Sequence, residues 1–253
     1  AASPDLVQRW ANDLPNIRRL MAEGAWGILH STVPAYTFPA WPCMATGKNP
    51  ARVGVFGLRH RQEGTYRLST PNSSHWQTPS IWDLASSAGR KVIVFNVPGT
   101  YPPTQVNGVM VSGKPAPTDA GVTITHPSDL LTRLHEVTGG YLQGPSADFD
   151  DASRSEELET WVQVLASQQD ALEYLMDTES WDLVFAVSMA IDAISHRYWS
   201  HLDPNHPQHE PRDARRFSTA IREIYKLEDS RLGRILERLE PDDLLVIVSD
   251  HGS

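Results

Sequence analysis

Twice in this chain a long amphipathic helical stripe runs into a short apolar run, and each run is followed by an Asp and a His. The first stripe covers Ser155 to Asp177, with Leu158, Trp161, Val162, Leu165, Leu172 and Leu175 at helical spacing. The run after it is Asp182-Leu183-Val184-Phe185-Ala186-Val187-Ser188-Met189, with Asp192 and His196 beyond. The second stripe covers Pro211 to Glu240, with Phe217, Ile221, Ile224, Leu227, Ile235 and Leu236 among its apolar positions. Its run, Leu244 to Val248, ends in Ser249-Asp250-His251-Gly252. Unbroken apolar runs of this length suit strands of a parallel sheet covered on both faces. A helix before each strand is the crossover that parallel pairing requires. The expected class is therefore α/β, with a mostly parallel central sheet and helices on both faces.

Further segments fit the same scheme. Helix starts are expected at Ser3-Pro4 and over Pro15 to Glu23, where Gly24 is the stop. A helix opens at Thr78-Pro79 and ends at Gly89, and Lys91 to Val97 is then a strand. Trp26 to Val33 and Val106 to Gly113 are also expected strands, and Gly139 to Ser155 an irregular, exposed stretch. In open α/β sheets, ligands sit beyond the carboxyl ends of the strands. Asp and His are good ligands for a borderline divalent ion such as zinc. Two strands delivering one such pair each to one sheet edge suggest a two-metal centre. The plainer reading of each pair alone is a turn or a helix cap.

The composition excludes several classes. At 253 residues the chain can bury a sizeable core. A net charge of −9 argues against a nucleic-acid-binding surface, where a basic stripe is expected. Cys43 is the only cysteine, so no intramolecular disulfide forms, and a reducing, cytoplasmic setting is expected. No run approaches the roughly 18 apolar residues of a membrane span.

Between Tyr36 and Pro50 lies Thr37-Phe38-Pro39-Ala40-Trp41-Pro42-Cys43-Met44-Ala45-Thr46-Gly47-Lys48-Asn49. Pro39 suits the first turn of a helix, which places the Thr37 hydroxyl at a helix amino terminus. Dipole and free amides there favour negative charge, as suits a nucleophile that attacks phosphorus. The competing reading of Thr37 is an ordinary N-cap. Cys43 reads as a small buried hydrophobe, His201, His206 and His209 as an exposed-loop patch, and Lys114 as solvated. Ser188 and Ser249 could bond to metal-ligating groups.

Together these segments resemble the alkaline phosphatase superfamily, and within it the type I phosphodiesterase and nucleotide pyrophosphatase family. The resemblance spans Leu14 to Leu20 with Gly24, Thr37 to Trp41, and Thr46 to Pro50 with Gly54-Val55-Phe56. It continues through Asn96 to Pro103, Asp192 to His196 with Trp199 and Asp203-Pro204, and Ser249 to Gly252. It implies one alkaline-phosphatase-like catalytic domain over residues 1–253, a fragment truncated at both ends. Thr37 matches the nucleophile, which also ligates one metal; Asp250 and His251 match ligands of that metal, and Asp192 and His196 ligands of the second. Two further ligands are expected outside the chain, an Asp just before Ala1 and a His beyond Ser253. The implied cofactors are two divalent ions, zinc or else manganese, and the implied substrate is a small anionic phosphoester.

The match departs from the family at Leu58, where an Asn contacting phosphate is expected; Arg59 and His60 are the nearest polar substitutes. Thr37-Phe38-Pro39-Ala40-Trp41 also keeps the frame of the sulfatase motif, but without its Cys or Ser and without its Arg. The implied chemistry is hydrolysis through a phospho-threonine. The alternatives are a phosphotransferase or mutase of the same superfamily, and a non-catalytic domain that keeps the fold.

Overall fold

The computed structural model describes residues 1–117, 121–145 and 153–252. The chain forms two compact units, Ala1–His30 with Met189–Ser253, and Ser31–Ser188. The first unit begins with α1 (Pro4–Arg9) and α2 (Pro15–Glu23). The second holds α3 (Thr37–Thr46), α4 (Pro50–Val53), a hairpin of β1 (His60–Arg61) and β2 (Leu68–Ser69), and α5 (Ile81–Ser87). It continues with β3 (Val92–Val97), β4 (Gly108–Ser112), β5 (Thr125–His126), α6 (Leu130–Thr138), α7 (Arg154–Thr178) and β6 (Leu183–Ala186). The chain then returns to the first unit for α8 (Ala190–Leu202), α9 (Pro211–Phe217) and α10 (Ala220–Leu236).

The main sheet of the second unit has strand order β5-β4-β3-β6. β3 runs parallel to β4 and to β6, and only the edge strand β5 is antiparallel. All of β3 is buried, so residues of both parities are covered and neither sheet face is open there. The register sets Val94 beside Phe185 and Phe95 beside Ala186, on opposite faces. Trp41 of α3 and Trp82 of α5 meet Phe185 edge-on, at 6.3 and 5.2 Å between ring centroids. On the other face Tyr141, between α6 and α7, meets Phe95 at 6.1 Å. This is the expected mixed α/β layering. Gly108 permits the close β3–β4 approach: at its φ of +150°, a Cβ would stand 2.1 Å from the Val92 carbonyl oxygen.

Local chemistry moves some boundaries. α5 starts at Ile81, because Ser80 and Asp83 form a reciprocal capping box there. The stripe expected as one helix over Pro211 to Glu240 is interrupted at Ser218 and Thr219, which separate α9 from α10, and its helical part ends at Leu236. Within Gly139 to Ser155, residues 139–145 are irregular as expected, and 146–152 lie outside the described residues.

Two expected strands are absent. Neither Trp26 to Val33 nor Leu244 to Val248 pairs with another strand among the described residues, and both stay largely exposed, Val33 at 90% and Leu244 at 89%. An apolar run becomes a strand only where a neighbour accepts and supplies its backbone hydrogen bonds. Periodicity reports burial preference and not pairing.

The first unit is held by buried polar contacts as well as apolar ones. α10 packs against α8 and α2, and α8 against α9. Trp10 meets Tyr225 edge-on at 5.2 Å. The Tyr225 hydroxyl accepts the Ser3 N–H at 2.9 Å. Burial pushes the phenol up to about 12, with the Ser3 bond pulling the other way. Asp229 of α10 is buried and accepts from the first turn of α2, where Leu14 at the cap supplies no side-chain acceptor. No described helix is long and apolar enough to cross a membrane.

Candidate functional site

The first unit brings four expected residues together. Asp192 lies in the first turn of α8 and His196 one turn later, so both point from one helix face. Asp250 and His251 follow the unpaired segment 244–248, and reach the site from irregular backbone rather than from a strand end. Asp192 Oδ1 lies 3.5 Å from His196 Nε2 and 3.5 Å from His251 Nε2. His251 Nε2 also lies 3.4 Å from Asp250 Oδ2. The side chains of Asp250, His251 and Asp192 are 6%, 12% and 14% exposed, whereas that of His196 is 73% exposed. Three members are thus largely withdrawn from water and one stands at the rim.

The orientation of His251 follows from its neighbours. Its Nδ1 lies 2.8 Å from the Gly252 carbonyl oxygen, so Nδ1–H is the donor there and Nε2 is the ring atom turned to the carboxylates. Ser249 Oγ donates to the His251 carbonyl at 2.8 Å and accepts the Ala2 N–H at 2.7 Å, which fixes the backbone of the segment. The Ala1 backbone nitrogen lies 3.3 Å from Asp250 Oδ1. Asp192 Oδ1 is buried and has no hydrogen-bond partner.

An orphaned carboxylate oxygen facing two imidazole nitrogens fits a divalent cation in donor type. The spacing fits too: bonds of about 2.0–2.2 Å in a tetrahedral shell set neighbouring ligand atoms roughly 3.3–3.6 Å apart. Two carboxylates withdrawn from water also bring negative charge that a cation would offset. The contacts are nonetheless pairwise. Among the described residues no group of three or more His, Cys, Asp or Glu forms a ready metal-binding shell.

Thr37 belongs to the other unit. It is the first residue of α3, and Tyr36 in extended conformation is the N-cap, so the ordinary N-cap reading of Thr37 is set aside. Pro39 stands in the first turn and Ala40 N–H reaches the Tyr36 carbonyl at 3.0 Å. Cys43 is buried, and burial pushes its thiol up. Leu58, at the position of the expected Asn, is exposed. His60 packs on His75 at 4.3 Å between ring centroids; burial first, and His60 next, lower the His75 imidazole.

Other residues depart from expectation. His201 does not belong to an exposed loop: it is buried in the last turn of α8, against Tyr198 and Phe217 at 6.0 and 5.6 Å. Its neighbours on the sequence are helical, and Pro204 and Pro207 break the chain only afterwards. Lys114 Nζ is not simply solvated, since it donates to the Pro145 carbonyl at 2.8 Å. Residue-type reasoning also passed over Asn96, at the carboxyl end of β3. Its φ is +58°, the Tyr141 hydroxyl donates to its Oδ1 at 2.7 Å, and its buried Nδ2 has no partner. Asparagine is among the residues that adopt this left-handed conformation most readily. The Asn-Val-Pro-Gly stretch was the available signal.

No curated protein matches the chain. Among solved structures, phosphonoacetate hydrolase from Sinorhizobium meliloti 1021 in complex with phosphonoformate is 17% identical, with a TM-score of 0.48. The same enzyme in complex with phosphonoacetate is also 17% identical, with a TM-score of 0.47. Each match covers 90% of this chain and 48% of the other, so the chain spans about half the length of that enzyme. The type I phosphodiesterase / nucleotide pyrophosphatase family matches residues 1–253 throughout, and this chain belongs to that family.

Proposed function

We propose that the protein is a metal-dependent phosphoester hydrolase in which Thr37 is the nucleophile and Asp192, His196, Asp250 and His251 hold divalent cations. The observation that carries this reading is Asp192 Oδ1, buried without a hydrogen-bond partner and 3.5 Å from two imidazole nitrogens. Family membership supplies the class of reaction.

The residues divide the work by their chemistry. The Thr37 oxygen attacks phosphorus in line with the leaving oxygen, forming a phospho-threonine that water cleaves in a second in-line step. Two inversions give net retention at phosphorus. The amino end of α3 places its dipole and free amides beside the negative charge that spreads over the non-bridging oxygens. A threonine hydroxyl is a weak nucleophile at its ordinary pKa and requires activation. Zinc-class ions, when bound, supply that activation together with charge neutralisation at the phosphoryl group. His251, with Nδ1–H committed to Gly252, offers Nε2 as a ligand atom, and Ser249 holds its backbone in place.

The test is hydrolysis of a panel of p-nitrophenyl phosphate monoesters and diesters by chelator-treated protein, before and after zinc or manganese is restored. Metal-dependent turnover is expected, with phosphate trapped on Thr37 on acid quench. Transfer to added alcohol in preference to water would favour a phosphotransferase. Turnover indifferent both to chelation and to Thr37→Ala would refute the assignment.

A further inference from the structure

We propose that the second unit carries a separate binding site for a small organic ammonium ion, in the cavity walled by Trp76 and Trp82. The cavity has a volume of about 250 Å³ and is lined by Trp76, Thr78, Trp82, Asp83, Thr104 and Met110, among others. Pockets for drug-sized ligands run to about 300–1,000 Å³, so this one suits a smaller molecule.

The sign of the ligand follows from the lining. Asp83 supplies a carboxylate, and no Lys, Arg or His is among the lining residues. Asp83 Oδ2 accepts the Ser80 N–H at 2.8 Å and the Ser80 O–H at 2.7 Å. Both bonds orient the carboxylate and use the same oxygen, which leaves Oδ1 for a ligand. An anion would meet this carboxylate with nothing to offset it, so phosphate and other anions are disfavoured.

The walls favour a cation positively. The Trp76 and Trp82 rings stand 5.8 Å apart between centroids and 47° from coplanar, and both line the cavity. An ammonium group within about 6 Å of an indole centroid is attracted by the ring quadrupole, and tryptophan is the best aromatic partner. Both rings are held before any ligand arrives: Trp82 is buried edge-on to Phe185, and Trp76 packs on the Cys43, Val53 and Val55 cluster. Little ordering cost remains at binding.

Thr78 points to an ammonium that still carries N–H. Thr78 is one of the residues that line this cavity, and its Oγ1 is buried and has no hydrogen-bond partner. A buried hydroxyl left unpaired is costly, and an N–H from the ligand would satisfy it. A quaternary ammonium has no hydrogen to give. The class is therefore a primary or secondary ammonium on a small apolar body.

The test is isothermal titration of the whole chain with benzylammonium chloride, benzyl alcohol and sodium benzoate, and tryptophan fluorescence recorded alongside. Benzylammonium should bind saturably, benzyl alcohol at least about tenfold more weakly, and benzoate not at all. Asp83→Asn should cut benzylammonium affinity about tenfold and leave benzyl alcohol unchanged. Thr78→Val, which removes a hydroxyl with no partner and so leaves the fold intact, should weaken benzylammonium several-fold. Equal affinity for the ammonium and the alcohol, absence of saturable ammonium binding, or unchanged affinity in Thr78→Val would overturn the proposal. Binding is read without turnover, so its failure is distinct from failure of the hydrolase reading.

Discussion

Asp229→Ala should destabilise the first unit more than any other single polar truncation there. The Asp229 carboxylate takes Ile17 N–H at 2.8 Å on one oxygen, and Asn16 N–H at 3.2 Å with Asn16 Nδ2 at 3.0 Å on the other. Those amides belong to the first turn of α2, whose donors have no partner within their own helix. The negative charge also faces the positive end of that helix. Hydrogen bonds to charged groups contribute about 1.5–3 kcal/mol each, and an orphaned buried donor costs a further 1–3. The bonds share one carboxylate and do not add fully, so a loss of about 3–5 kcal/mol is expected for alanine. Asp229→Asn keeps one acceptor oxygen and loses the charge, for about 1–2 kcal/mol. Urea unfolding measures the loss, and hydrogen exchange at Ile17 locates it. Because α8 packs on α10, zinc uptake should weaken in parallel. A loss below about 1 kcal/mol for alanine, or equal losses for alanine and asparagine, would refute the capping argument.

Thr37→Ala should abolish turnover at unchanged melting temperature, and Thr37→Ser should keep part of it; steady-state kinetics on a p-nitrophenyl diester decides, and near-wild-type turnover by the alanine variant removes Thr37 from the mechanism. His251→Ala should lower zinc affinity more than His196→Ala, because His251 contacts both Asp192 and Asp250 whereas His196 contacts Asp192 from the exposed rim. Elemental analysis after dialysis against limiting zinc tests that order, and full loading of both variants contradicts the ligand assignment. Stability should also fall in alkali through Tyr225. Its folded pKa of about 12 exceeds the ordinary 10.0, so its contribution is complete below pH 10 and is lost as pH rises towards about 12. Melting temperatures across that window should decline less steeply in Tyr225→Phe.

Some of this protein was legible in its residues. The stripe from Ser155 to Asp177 became α7 at nearly the expected bounds, because helical spacing over many turns has one way to be buried. Lys91 to Val97 became β3, a largely apolar run buried on both faces and paired in parallel on both sides. Pro15 and Gly24 bracketed α2, since proline at the start and glycine past the end are local backbone effects. The family was legible as well, because its motifs are short, ordered and chemically specific.

Other features had no local signature. Leu244 to Val248 is as apolar as β3 yet pairs with no strand among the described residues and is largely exposed, since pairing depends on a partner elsewhere in the chain. His201 looked like part of a surface patch, and only the positions of Tyr198 and Phe217 made it a core residue. No spacing rule links Asp229 to α2, because more than 200 residues separate the acceptor from its donors. The same holds for Asp192 and His251: residue type named both as ligands, but their 3.5 Å approach is a tertiary fact. What the sequence determines alone is what each segment prefers and which chemistry its side chains can perform. Which preferences are met, and which donors and acceptors face each other, is decided only when distant segments compete for the same buried volume.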